Sequence, residues 1–325
     1  MFDLTKQIIL IVLQSILIIG VSPLIIGYIR KVKAKFQNRV GASVLQPYYE
    51  LYKLIRKDSV VSKYTSFVFL AVPYILIAIM ITLSLVIPAI TIFSSNNSNL
   101  LSNGVLDIIG IIYLFAFYTF ALTIAAFDPA TSFGGLGATR DYMFAILCEP
   151  LIFVAFIIPV ILSGSTQLST MISINTSNVT FLHVFLMIIG LAGFFIALLA
   201  ENTRFPFDNP ATHLELTMVH EAMVLEYSGK QLALVEYAAW IRLVLFMTIA
   251  SSIFIPWGIN IGDLTFSNIF VGLVFWLLKL FCFATVIALI ESTIAKLRIF
   301  KLPALIAVSF LIVLIGVIYL LVYGR

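Results

Sequence analysis

Glu201 to Gly229, "ENTRFPFDNPATHLELTMVHEAMVLEYSG", sets Glu201, Asp208, Glu215, Glu221 and Glu226 beside His213 and His220, in a chain that is only 10% charged. Carboxylates and histidines at that density can bind and release protons or hold cations. Further ionisable groups interrupt apolar runs: Glu149 before Pro150, Glu236 with Arg242, and Lys279. Each costs about 2.5–3.5 kcal/mol in hydrocarbon on insertion scales, so such groups face a bundle interior or a wet cavity. A solvated loop face would account for the acids of an ordinary loop, and a structural ion pair, Glu236 with Arg242, for one pair within a span. The whole set goes beyond both, because the acids outnumber the bases. It suggests a proton or cation path over Glu149, Glu201, Glu215, Glu221, Glu226, Glu236, Arg242 and Lys279.

Metal chemistry fits these residues poorly. "HEAMV" begins like the zinc-protease motif H-E-x-x-H, but Val224 stands where the second histidine belongs. His213 and His220 are two helical turns apart, too far to share one ion. Cys148 and Cys282 sit in separate apolar segments, and there is no C-x-x-C pair. No metal site and no catalytic centre is expected in this chain; redox centres, if the protein serves redox chemistry, would sit on partners.

The elements that must position these groups are membrane spans. The chain of 325 residues is 62% hydrophobic with a mean hydropathy of +1.14, far above the soluble globular range. Eight apolar segments are long enough to cross a bilayer: Leu4–Ile29, Ser66–Phe93, Val105–Phe127, Tyr142–Ser163, Phe181–Ala200, Leu232–Ile255, Ile269–Ile290 and Leu302–Val322. The first has too long an apolar core for a signal peptide, and a basic loop follows it. The expected fold is an all-α integral membrane protein, a bundle of about eight transmembrane helices with an amphipathic cytoplasmic helix. Residues 1–325 form one multi-pass domain with long cytoplasmic loops at 30–65 and 201–231.

Positive charge alternates between loops. The first connection holds Arg30, Lys31, Lys33, Lys35, Arg39, Lys53, Arg56, Lys57 and Lys63; the third Arg140; the fifth Arg204 and Lys230; the seventh Lys296, Arg298 and Lys301. The connections around Asn96, Ser165 and Asn260 carry no Lys or Arg. Positive residues stay on the cytoplasmic side, so both termini are expected outside a cell membrane. The net charge of +4 is thus a topology signal, and a nucleic-acid partner has no soluble basic domain to engage.

Within the first loop, Tyr48, Leu51, Tyr52 and Ile55 fall at helical spacing between Pro47 and Arg56, which predicts an amphipathic helix at the membrane surface. It could anchor to lipid or dock a cytoplasmic partner. In the acidic loop Pro206 and Pro210 stop the preceding span. Thr212 with Glu215 has capping-box spacing, which predicts a helix from His213 to Tyr227 across the cytoplasmic mouth. Glu215 and Glu226 then share one face, His213 and His220 another.

Three stretches, "FQNRVGASVLQPYYELYKLIRKDSV", "GLGATRDYMFAILCEPLIF" and "AENTRFPFDNPATHLELTMVHEAMVLEYSG", resemble the signature loops of the subunit-1 family of respiratory complex I. Together with "IPWG" and "LKLFCFATVIALIESTIAKLRI", they are most similar to its relatives in membrane-bound NiFe hydrogenases of the hydrogenase-4 and formate hydrogenlyase type. The resemblance covers nearly the whole chain. It implies eight spans and a membrane-anchor role. Partners would be hydrogenase-like large and small subunits, a ferredoxin-like Fe–S subunit and antiporter-like membrane subunits. The NiFe centre and the Fe–S clusters would lie on those partners, with no cofactor in this chain. By matching motif it implies channel roles for Glu149, Glu201, Glu215 and Glu226. It also implies a junction with the cytoplasmic arm at Arg39, Gln46 and Arg140, beside Tyr48 and Tyr52.

The sequence departs from quinone-reducing members, which carry an acid-rich "E-x-E" run before "EYSG" where this chain has "ATHLELTMVHEAMVL". Subunit 1 of an NADH:quinone oxidoreductase is therefore the nearest alternative. A free-standing secondary transporter is a more distant one; it should show paired halves with broken helices, and the sequence has no internal repeat.

Overall fold

A computed structural model describes residues 2–92, 107–177, 180–208, 218–261 and 266–323. In lipid every backbone N–H and C=O must be satisfied internally, so the apolar runs become helices. Among the described residues eight helices are long and apolar enough to cross a membrane. They are α1 (Phe2–Phe36), α3 (Phe67–Val86), α4 (Ile108–Phe127), α5 (Ser132–Ser163), α7 (Phe181–Glu201), α9 (Gly229–Ile253), α10 (Phe266–Thr293) and α11 (Leu302–Tyr323). Shorter helices are α2 (Gln46–Arg56), α6 (Leu168–Ser177) and α8 (His220–Val224). The protein is an all-α, multi-pass membrane protein.

The eight expected spans are present, and the structure departs from expectation informatively at three places. α1 continues through Arg30, Lys31, Lys33 and Lys35, so these cations stand on a helix rather than in a loop. α5 begins ten residues before the expected Tyr142, which puts Arg140 and Asp141 on a helix as well. The early start follows from close packing. A Cβ on Gly134 would lie 2.7 Å from the Ala126 carbonyl oxygen, and one on Gly137 2.8 Å from that of Val219. Tertiary packing outweighs the low helix propensity of "SFGGLG". α5 also runs on through Pro150 and Pro159, so the proline beside Glu149 does not end it.

The third difference concerns the helix expected over His213–Tyr227. Its described part is helical only from His220 to Val224, and Leu225 and Glu226 form a turn. Thr212, His213 and Glu215 lie outside the described residues. Glu226 therefore stands past a helix end and not on a continuous mouth-spanning face.

α9 is the central element: every residue from Trp240 to Ile253 is buried. The helix ends that carry the basic residues gather at one end of the bundle. There α2 packs on α1 and α9, with Pro47 buried and the Tyr48 hydroxyl donating to the Gly20 carbonyl at 2.5 Å. At the opposite, far end a two-residue parallel bridge joins β1 (Thr91–Ile92) to β2 (Asn260–Ile261).

Candidate functional site

At the basic end α9 borders a cavity of about 430 Å³ closed by α1, α4, α8, α10 and the turn after α7. Its innermost feature is a buried ion pair. Arg242 of α9 bonds Glu201, the last residue of α7, and donates to Thr119 Oγ1 of α4 at 2.9 Å. The Arg242 guanidinium lies 4.7 Å from the ring centroid of Tyr118. Arg242 Nε and the Tyr118 hydroxyl are buried without a hydrogen-bond partner among the described residues. Both are polar atoms with capacity left for water or a ligand group.

The structural pair of Glu236 with Arg242, weighed from the sequence against a path, is not formed among the described residues: Arg242 bonds Glu201 instead. Glu236 also lines the cavity, half-buried, and forms no salt bridge among the described residues. Glu221 of α8 is in the same position. Around the rim, Glu291 near the end of α10 holds Lys33 at 3.0 Å and Arg204 at 3.2 Å. Just outside, Asp208 accepts from the Val219 amide at 2.8 Å and pairs with Lys296 at 2.5 Å, which ties the segment before α8 to the connection after α10.

The expected excess of acids over bases does not hold at the cavity. Glu201, Glu221, Glu236 and Glu291 face Arg30, Lys33, Arg39, Arg204 and Arg242. The sequence count failed because cations from distant segments, above all α1, converge here. The arrangement is a near-balanced charged cavity in which two carboxylates lack an ion-pair partner among the described residues. Such groups can exchange protons with water while the paired ones hold the walls in place.

His220 opens α8 against this cavity. Burial lowers its pKa below the usual imidazole value, against the opposing pull of the Glu221 carboxylate. Its Nε2 is buried with no hydrogen-bond partner among the described residues. Among those residues no three His, Cys, Asp or Glu side chains come together as a metal-ligating group.

Other expected site residues are dispersed. Glu149 is half-buried on α5 within electrostatic reach of Glu201, but it does not line the cavity. Glu226 is half-buried in the turn after α8, also away from it. Glu215 lies outside the described residues, and Lys279 stands towards the far end. Of the expected junction residues, Arg39 borders the cavity and bonds Gln37. Gln46 begins α2, Tyr48 is turned onto α1, and Tyr52 is 56% exposed with Arg56 over its ring at 4.2 Å. Arg140 is half-buried and donates to the Met218 carbonyl at 3.2 Å, so it braces the segment before α8.

Tyr118, Thr119, Asp141 and Glu291 belong to this region, and sequence reasoning did not select them. Asp141, buried, carried a signal: an acid next to Arg140 at the mouth of an apolar run. Glu291 carried a similar one, in the last turn of α10. Tyr118 and Thr119 carried none, since both are ordinary residues of an apolar helix.

The sequence matches known membrane proteins over almost its whole length. The model of a family described as NADH dehydrogenase matches residues 7–322. Formate hydrogenlyase subunit 4 of Escherichia coli (strain K12) is 29% identical over 287 residues, covering 88% of this chain and 90% of that protein. Hydrogenase-4 component C of the same organism is 28% identical over 286 residues, covering 88% and 87%. A subunit of the NADH-quinone oxidoreductase of Ehrlichia chaffeensis (strain ATCC CRL-10679 / Arkansas) is 29% identical over 296 residues, covering 85% and 78%. Among solved structures, a chain of the membrane-bound sulfane sulfur reductase, an archaeal respiratory membrane complex, shares the fold. Its TM-score is 0.78 at 18% identity, over 95% of this chain and 98% of that one.

Proposed function

We propose, because this chain belongs to the NADH dehydrogenase family, that it is the membrane-anchor, proton-conducting subunit of a complex-I-like, energy-converting hydrogenase or formate hydrogenlyase. The observation that carries this reading is the charged cavity at the basic end, floored by the buried Glu201–Arg242 pair. A closed structural core has no use for carboxylates left unpaired in a membrane bundle, whereas a subunit that passes protons inward from a cytoplasmic arm does. The basic end is cytoplasmic in this reading, and both termini are outside a cell membrane.

Glu221 and Glu236 take up protons at the cavity. Glu201 with Arg242 stabilises the inner end, and Glu149 continues the path on α5. Glu215 and Glu226 serve the mouth. The NiFe centre and the Fe–S clusters sit on partners: hydrogenase-like large and small subunits, a ferredoxin-like subunit, and antiporter-like membrane subunits. Arg39, Gln46 and the exposed face of α2 around Tyr52 meet the cytoplasmic arm, while Tyr48 and Arg140 hold that surface in shape.

Purification in mild detergent, with identification of the co-purifying chains and their metals, tests the reading. A nickel-containing large subunit supports it. A quinone-reducing complex without nickel would replace it with the second reading, subunit 1 of an NADH:quinone oxidoreductase, which the 29% identity to the Ehrlichia protein favours. Purification as a lone chain that moves substrate would overturn both.

A further inference from the structure

α9 carries polar groups on two faces that do not meet. Arg242 looks towards α4 and α7, as its bonds to Thr119 and Glu201 record. At about 100° per residue, Thr248 and Ser251 fall on roughly the opposite side, and the Ile255 carbonyl follows just past the helix end. There α10 faces them: the Trp276 indole N–H donates to Thr248 Oγ1 at 3.3 Å. One turn on, the Lys279 ammonium donates to the Ile255 carbonyl at 2.5 Å and lies 3.5 Å from that of Ser251. Between the two polar faces five buried apolar residues, Leu243 to Met247, occupy the stretch of about 9 Å from Arg242 to Thr248.

Lys279 is near the middle of a 28-residue helix, and no carboxylate pairs with it among the described residues. No charged side chain among those residues acts on it from α1, α9 or any other element; Asp263 lies outside them. Lys279 meets the Ser251 and Ile255 carbonyls with an ammonium where a neutral donor would serve, as the Trp276 N–H does for the Thr248 hydroxyl on the same face, and an ammonium costs more than a neutral donor at this depth.

Ile255, whose carbonyl Lys279 holds, also lines a pocket of about 200 Å³ with Asn175, His183 and Trp257. His183 Nε2 is 3.3 Å from Asn175 Oδ1. Asn175 is 1% exposed, and its Nδ2 has no partner among the described residues. A buried amide with an unmet donor at a pocket wall calls for an acceptor, and water is the smallest one.

We propose that Lys279 and this pocket form a proton-exchange site open to the far side of the membrane, the second half of a split path whose first half is the charged cavity. The inference deepens the conducting reading and rests on it. In each cycle the ammonium gives one proton to pocket water, leaving a neutral amine and a hydronium ion that departs past His183 and Asn175. The amine is recharged by a proton crossing the Leu243–Met247 seal when that seal is transiently hydrated. The seal keeps the two halves from leaking into each other.

The test uses the whole complex in membranes. A Lys279→Cys variant is exposed to a charged, membrane-impermeant thiosulfonate from each side in turn. Cys282, one turn further along α10 and exposed on the bundle surface where lipid packs, is the internal control. Labelling of Lys279→Cys from the far side alone, with Cys282 of the unmodified protein unlabelled, is the expected result. Failure to label from that side, or labelling from the basic end, overturns the proposal. His183→Cys and Asn175→Cys carry the same test if the first variant does not assemble, with the same expected and contrary outcomes. In parallel, Lys279→Gln keeps a hydrogen-bond donor without a titratable charge and should cut proton transport at least tenfold in the assembled complex. A wild-type complex that moves protons, with Lys279→Gln moving them as fast, removes the exit site alone. A wild-type complex that moves none removes the conducting reading itself.

Discussion

The Glu201–Arg242 pair shows what a single buried charge depends on. Removing one partner of a buried pair strands the other, at about 3–5 kcal/mol, so Arg242→Leu should sharply lower the yield of folded protein. Glu201→Gln keeps size and hydrogen bonding and should assemble, yet slow proton uptake into vesicles about tenfold or more. Transport at the wild-type rate would leave the pair a structural element only. His220 supplies a pH test. Its pKa is lowered by burial, so below about pH 6.5 the unfolded chain binds a proton that the folded one refuses. Stability is then lost as pH falls, and the thermal midpoint should drop more steeply in wild type than in His220→Gln between pH 7.5 and 5.5. Equal slopes would mean that the folded protein accepts the proton. Asp141 and Glu291 were passed over, but Glu201, Glu221 and Glu236 were legible as acids against an apolar background. Their partners were not, because the choice of Glu201 over Glu236 for Arg242 is made by how α7 and α9 cross, 41 residues apart in sequence.

Elements were legible wherever one physical rule acted alone. Long uninterrupted apolar runs gave the spans, and the spacing of Tyr48, Leu51 and Ile55 gave α2. Their ends depend on neighbours that a local pattern does not contain: Gly134 and Gly137 extend α5 because other backbones press against them. A similar contact stitches the two basic-end connections together. The Ser228 hydroxyl accepts from the Val60 amide at 2.8 Å and donates to its carbonyl at 2.6 Å, and the Lys230 amide donates to Ser59 Oγ at 3.1 Å. Gly229 between them has φ +54°, and a Cβ there would lie 2.8 Å from the Asp58 carbonyl oxygen. Gly229→Ala should cost about 1 kcal/mol or more and release this stitch. The measurement is limited proteolysis of residues 57–66 in the membrane-bound protein, which should proceed several-fold faster than in wild type. An unchanged rate would show that the stitch survives without glycine.

Across the whole molecule the two kinds of surface are separated. Large apolar side chains such as Ile9, Phe185 and Leu311 are exposed along the helices, as lipid contact requires. At the basic end two groups of cations stand out. Arg30, Lys33, Arg204, Arg242 and Lys296 are neutralised by carboxylates of this chain. Lys35, Lys53, Lys57 and Lys63 are exposed and make no salt bridge among the described residues. Beside the second group lie the exposed Tyr49, Tyr52 and Ile55 of α2. Aromatic side chains ringed by uncompensated cations suit an acidic protein surface, the cytoplasmic arm of the proposed complex. Charges at such a rim act mainly on encounter and on salt dependence, because exposed pairs are screened within about 8–10 Å at physiological ionic strength. Reversing two of them, Lys53→Glu with Lys57→Glu, should leave insertion in the membrane intact, since Lys31, Lys33, Arg39 and Arg56 still mark that side. Association with the arm should weaken at least tenfold, about 1.4 kcal/mol, and the arm should wash off at a lower salt concentration than from wild type. Stepwise salt elution of membranes, followed by quantification of the released chains, reads this directly. If both proteins release the arm at the same salt concentration, the bare cations face lipid headgroups instead, and the contact with the arm lies with Arg39 and the cavity mouth.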